Sequence, residues 1–156
     1  SDEFRVNVIK GLAFMASHEG PYLFHCTEGK DRTGFVAALI EALMGATKDQ
    51  IVADYMQSYI NYYKVEPNTA KYDLISQDVL SMLKVITGAS DLDKADLAAG
   101  ARDYLLRGGM KAEQIDALKA KLSTPIPVSG ASTRLIIFAS RAWAGAEKRQ
   151  PAELAS

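Results

Sequence analysis

The sequence predicts an α/β fold in a chain that is itself mostly helical. Three observations carry this. Tyr22–Cys26, "YLFHC", is a short apolar run between helical patterns and reads as a buried strand. The segment from Arg32 to Met44 is apolar almost all round, as a helix enclosed on every side is. Nearly everything else repeats its apolar residues at helical spacing, so only one strand is clear, whereas a sheet needs several. An apolar strand with helices before and after it belongs inside a larger sheet. Most of that sheet is therefore expected from elsewhere: an upstream segment, another chain, or the C-terminal tail.

The elements follow in order. Asp2 to Ser17 has Phe4, Val6, Ile9, Leu12, Ala13 and Ala16 near helical spacing, and Gly20 and Pro21 stop it. The loop "TEGKD" after the strand is polar and contains Gly29. The buried helix from Arg32 ends at Gly45, and "TKDQ" forms a capping box, with Thr47 the cap and Gln50 reaching back. The helix it opens has Ile51, Tyr55 and Tyr59 on one stripe and breaks around Pro67. A fourth helix runs from about Thr69 to Thr87, with Gly88 its stop. "SDLD", Ser90 to Asp93, is expected to cap a fifth helix ending at Gly108 and Gly109. A sixth, Lys111 to Leu122, buries Ile115, Leu118 and Leu122. In the tail, "TRLIIFASRAW" fits either helix or strand.

Composition narrows the function classes. The chain has 156 residues, 48% of them apolar, which suits one domain with a real core. The formal net charge is -1, so nothing global draws it to nucleic acid or an acidic membrane, and anion binding has to be local. One cysteine excludes an internal disulfide, and Cys26 with His18 and His25 cannot build a usual zinc site. No apolar run approaches the roughly 20 residues that span a bilayer. The chain opens on "SDEF" without a starter methionine, and a processed product or fragment is expected.

The chemistry concentrates in "HCTEGKDRTG", His25 to Gly34. A strand that empties into a short loop and then a helix makes an anion site, because the first backbone N–H groups of the helix have no intrahelical partner. Gly29 allows a tight turn, and Arg32 can fork two donors onto phosphate oxygens. Cys26 would sit beneath the anion, where the same positive field favours its thiolate. A thiolate beside a bound phosphoryl group is a nucleophile for phosphoryl transfer. A lone cysteine is more often a small buried apolar residue, but here Gly, Lys, Arg and Thr follow it in matching order. Of the tyrosines 55, 59, 62 and 63, core and interface roles are expected, with Tyr62 and Tyr63 also able to line a phosphotyrosine pocket.

This stretch resembles the signature loop of the cysteine-dependent phosphatases: His-Cys, five residues, Arg, Ser/Thr, Gly. With Gly-Lys-Asp-Arg-Thr-Gly it looks like the bacterial tyrosine and dual-specificity phosphatases that also accept phosphoinositides. "GFVAALIEALMGATKDQIVADYM" and "ARDYLLRGGMKAEQIDALKAKL" are similar to helices of the same family. The resemblance implies a central sheet with the loop between a strand and a buried helix, residues 1–122 forming the C-terminal portion of the phosphatase domain and 123–156 a tail of unknown role. By the same resemblance, an N-terminal half with most of the sheet is expected outside this chain.

The resemblance also implies roles. Cys26 attacks phosphorus and forms a phosphocysteine, Asp31 is the general acid, and Arg32 stabilises the transition state. Thr33 assists the departing sulfur, and Thr27, Glu28, Gly29 and Lys30 bind substrate, Lys30 as a second cation for multiply phosphorylated ligands. His25 and Gly34 support the loop. No metal or other cofactor is implied. The expected partners are a phosphotyrosine protein or a phosphoinositide and the other half of the domain, in the cytoplasm or, for a secreted effector, another reducing compartment. Two alternatives stand beside this reading: a phosphate-binding module without turnover, and sulfur transfer or arsenate reduction, against which the absence of a second cysteine weighs.

Overall fold

The computed structural model describes residues 2–20 and 22–123, and within them six helices and no strand. The helices are α1 (Asp2–Ser17), α2 (Arg32–Leu43), α3 (Lys48–Tyr63), α4 (Ala70–Thr87), α5 (Leu97–Arg107) and α6 (Ala112–Ser123). The tail segment "TRLIIFASRAW" lies outside the described residues.

The centre is α2. Leu39, Ile40 and Ala42 have no exposed surface, and α3, α4 and α5 pack around the helix. Its mostly apolar sequence suits this position, since burial of each large aliphatic side chain contributes about 1.5–3 kcal/mol. A second layer is made by α1, which packs against α6. The Phe4 ring meets the Phe35 ring edge-on at 5.3 Å, and this contact joins α1 to α2. Ile9 of α1 sits where a Cβ on Gly108 would stand, 2.7 Å from its nearest side-chain atom. Lys121 bonds the His18 carbonyl and pairs with Glu19 at 3.3 Å, which ties the end of α6 to the end of α1. No described helix is long and apolar enough to cross a membrane.

Local chemistry sets the boundaries. The capping box at Thr47 forms in both directions: Gln50 N donates to Thr47 Oγ1 and Thr47 N donates to Gln50 Oε1. Thr69 caps α4, and Gly88 ends it with φ 69°. Lys64 ends α3 in the left-handed region, φ 55°, three residues before the proline expected to break it.

Three expectations need correction. Tyr22–Cys26 has no strand ladder among the described residues, because no described segment lies alongside to exchange hydrogen bonds with it. Instead Tyr22 Oη donates to the Met15 and His18 carbonyls at the end of α1. The cap of α5 is Asp96, which accepts from Ala99 N at 2.9 Å, and not the "SDLD" run. That run is folded into a turn by the bond from Asp93 N to Asp91 Oδ1, with Lys48 drawn onto Asp93. On α1 the buried stripe is Val8, Ile9, Leu12, Met15 and Ala16, whereas Val6 is 44% exposed. The helix is rotated so that Ile9 meets Gly108 and α6, a choice that periodicity alone does not make.

One close approach decides how α3 docks. A Cβ on Gly34, at the start of α2, would lie 2.8 Å from Tyr55 Cε2, closer than van der Waals contact allows. Tyr55 is buried and its hydroxyl lies 3.3 Å from that of Tyr59, so the ring has little room to swing. Gly34→Ala should therefore destabilise the fold by about 1–3 kcal/mol, the usual cost of overpacking. Urea unfolding followed by tyrosine fluorescence measures it. An unchanged midpoint would show that Tyr55 moves aside freely.

Candidate active site

The loop of residues 26–31 runs directly into α2, and every residue expected at the site lies on it or flanks it. Gly29 has φ 71°, a left-handed conformation that a β-carbon disfavours, and it turns the chain between Glu28 and Lys30. The first intrahelical bond of α2 runs from Phe35 N to the Asp31 carbonyl. The amides of Arg32, Thr33 and Gly34 thus precede the helical ladder and face the loop. A mostly apolar, buried helix carries these donors, so the loop is anchored to the core.

Cys26 is half-buried and reduced. Burial pushes its thiol up, but the Thr33 hydroxyl and the backbone N–H groups of Thr33, Gly29 and Glu28 outweigh this and bring it from 9.0 to about 7. Thr33 Oγ1 is otherwise without a hydrogen-bond partner of ordinary geometry, although it is buried. A buried hydroxyl that acts on the sulfur without a bond of ordinary geometry is a donor held in reserve: a bond of good geometry to a charged sulfur would be the stronger one.

The charged residues are on the rim. Arg32 is exposed, and its single loop contact, Nη2 to Thr27 Oγ1, is long at 3.4 Å, which leaves the guanidinium free to turn toward an anion. Asp31 stands at the N-cap position of α2 but makes no capping bond with its side chain. Its carboxylate is 3.7 Å from Lys30 Nζ and 66% exposed. His25 is exposed, and no hydrogen bond from its ring to the loop is formed among the described residues. Gly34 is buried against Tyr55.

Lys30 and Glu28 face each other rather than the centre of the loop. Lys30 Nζ is 3.0 Å from Glu28 Oε2, and Tyr63 Oη donates to the same oxygen at 3.3 Å. The ammonium also lies over the rings of Tyr59 and Tyr63, at 5.8 and 6.0 Å. The hydrogen bond to Glu28 raises the Lys30 ammonium well above its usual range despite partial burial. The Lys30 bond and charge in turn hold Glu28 low. Tyr63 was expected at an interface or pocket wall, and it reaches the loop; the signal for this was the spacing of Tyr55, Tyr59 and Tyr63 on one helical stripe.

A cavity of about 400 Å³ lies elsewhere, lined by Gly45–Asp49, by Leu92 and Asp93, and by Ala95–Ala98. It is at the opposite end of α2, roughly 18 Å along the helix at 1.5 Å per residue, and takes no part in the loop.

Comparison with known proteins finds phosphatases among those similar to this chain. The chain is 58% identical over 38 residues to the triple specificity protein phosphatase PtpB of Mycobacterium tuberculosis, a match covering 24% of this chain and 14% of that protein. It is 46% identical over 52 residues to a tyrosine-protein phosphatase of Nostoc commune, covering 33% of this chain and 17% of the relative. The matched segments are thus less than a fifth of the length of these relatives. No solved structure matches the chain. The profile of the tyrosine phosphatase family matches residues 4–124, which takes in the loop and all six helices but for Asp2 and Glu3 at the start of α1. The chain belongs to the tyrosine phosphatase family.

Proposed function

We propose that the chain carries the nucleophile of a phosphomonoester hydrolase that acts on phosphotyrosine through a phosphocysteine, with phosphoinositides as a second substrate class. The observation that carries this reading is a cysteine with its thiol drawn down to about 7 by hydroxyl and amide donors, directly before a buried helix that begins with Arg32. At neutral pH about half of such a thiol is thiolate, against a few per cent for an unperturbed one.

In the first step the Cys26 sulfur attacks phosphorus with its lone pair. The bond from phosphorus to the ester oxygen breaks, and Asp31 gives that oxygen its proton. The amides at the start of α2 and the Arg32 guanidinium take up the charge on the equatorial oxygens. In the second step water attacks phosphorus, Asp31 accepts its proton, and the sulfur–phosphorus bond breaks. Thr33 donates its hydroxyl to the sulfur as it leaves as thiolate. Asp31 is suited to both transfers because its carboxylate is not consumed by helix capping and stands at the loop rim.

The thiolate is tested by alkylation with iodoacetamide. The rate should rise with pH with a midpoint near 7, since the deprotonated form reacts. Thr33→Val removes one donor to the sulfur and should move the midpoint upward; an unmoved midpoint would exclude the hydroxyl as a thiolate partner.

Cys26→Ser should abolish hydrolysis of p-nitrophenyl phosphate and retain binding of inorganic phosphate, because the hydroxyl lacks a neighbouring base to activate it. Activity close to the unaltered protein would place the nucleophile elsewhere. A Cys26 protein that binds phosphate and turns nothing over would identify a binding module instead.

Asp31→Asn should slow phenyl phosphate far more than p-nitrophenyl phosphate, since the poorer leaving group needs the proton. The loss expected for general acid catalysis is about 10²–10⁴-fold. Equal slowing of both esters would assign the acid to another residue.

A further inference from the structure

Lys30 and Glu28 occupy the same loop as Cys26, yet their side chains are engaged with α3. One carboxylate oxygen of Glu28 accepts both from Lys30 at 3.0 Å and from Tyr63 at 3.3 Å. The ammonium sits against two aromatic faces, Tyr59 and Tyr63, at 5.8 and 6.0 Å. Tyr59 is buried and shares a hydroxyl contact with Tyr55, so this wall is fixed to the core. Only 21% of the Lys30 side chain is exposed, little for a loop lysine beside an anion site. Asp31, at 3.7 Å, is the other carboxylate within reach of the ammonium. The cation nearest the loop apart from Arg32 is thus neutralised before any ligand arrives.

We propose that Glu28, held by Tyr63, is a specificity-determining residue: it ties the Lys30 ammonium to the tyrosine face of α3 and withholds it from a second phosphoryl group, so that the loop favours ligands with one phosphate over ligands with two. This rests on the anion-binding reading of the loop given above. The physical basis is competition for one cation. A second phosphate gains from Lys30 only if it displaces Glu28, and the carboxylate left behind then repels the ligand. Tyr63 strengthens the block, because its hydroxyl orients the Glu28 carboxylate and its ring supports the ammonium. Tyr63 acts through Glu28 and Lys30 and is a positioning residue.

The test compares inorganic phosphate with pyrophosphate by isothermal titration of the intact protein. Glu28→Gln should strengthen pyrophosphate binding relative to phosphate by about fivefold, the scale of a partly exposed ion pair. Tyr63→Phe should shift the ratio in the same direction by less. Placing Lys30→Met in the Glu28→Gln protein should remove the gain, since simple relief of negative charge does not need Lys30. A second readout does not depend on ligand: acetylation of Lys30 by acetic anhydride, quantified by peptide mass spectrometry, should quicken in both Glu28→Gln and Tyr63→Phe. A protein that binds phosphate but shows the same ratio in all variants overturns the assignment while leaving the anion loop intact. Unchanged Lys30 acetylation in both variants overturns it as well. Failure of the unaltered protein to bind either anion overturns the anion loop and the assignment together.

Discussion

The site depends on one contact between two helices: the Tyr55 ring against the bare backbone of Gly34. It brings α3 so close to the start of α2 that the next two tyrosines on the same stripe, Tyr59 and Tyr63, fall beside the loop. Residues four apart on a helix are neighbours on one face, so a single close approach at the first position sets the reach of the other two. The loop is thereby held from two sides. Its C-terminal end is continuous with a helix buried in the core, and Glu28 and Lys30 are fastened to α3.

Charge is distributed unevenly along this short loop. The donors that face the sulfur are neutral: a hydroxyl and backbone amides. The full charges stand at the rim, where Lys30 is paired and Arg32 forms no ion pair with a carboxylate among the described residues. Neutral donors lower a thiol without filling the anion site, and a rim guanidinium can swing in with the ligand. A cation lodged permanently beside Cys26 would lower the thiol further but would also compete for the phosphate oxygens. The arrangement therefore separates activation of the nucleophile from recognition of the substrate.

Tyr22–Cys26 shows what a segment does when its pattern asks for a sheet. Tyr22, Phe24 and Cys26 are half-buried on the helices, while Leu23, 79% exposed, and His25 point outward. This is the alternation of a strand, present without a ladder among the described residues. The inward face is satisfied by Tyr22 on the α1 carbonyls and by Phe24 against the core, and that is enough to deliver Cys26 to the loop.

Helix positions were legible because their determinants are local. The Thr47–Gln50 box, the Thr69 cap and the Gly88 stop each act within a few residues, and α2 announces its burial by having almost no polar side chain. The loop was legible because its chemistry needs Cys26, Gly29, Arg32 and Thr33 in fixed order. Three things were not. The face that α1 buries follows from Ile9 meeting Gly108, a contact between residues far apart in the chain. The cap of α5 is Asp96 and not the Ser90–Asp93 run, whose carboxylates are engaged elsewhere: Asp91 accepts from Asp93 N within a turn, and Asp93 pairs with Lys48 on another helix. The engagement of Lys30 with Glu28 and Tyr63 required α3 to arrive beside the loop, and Gly34 and Tyr55 decide that from positions on different helices. Short-range hydrogen bonding and periodicity are written in neighbouring residues, whereas the docking of one helix on another is set by side chains that meet only once the core has formed.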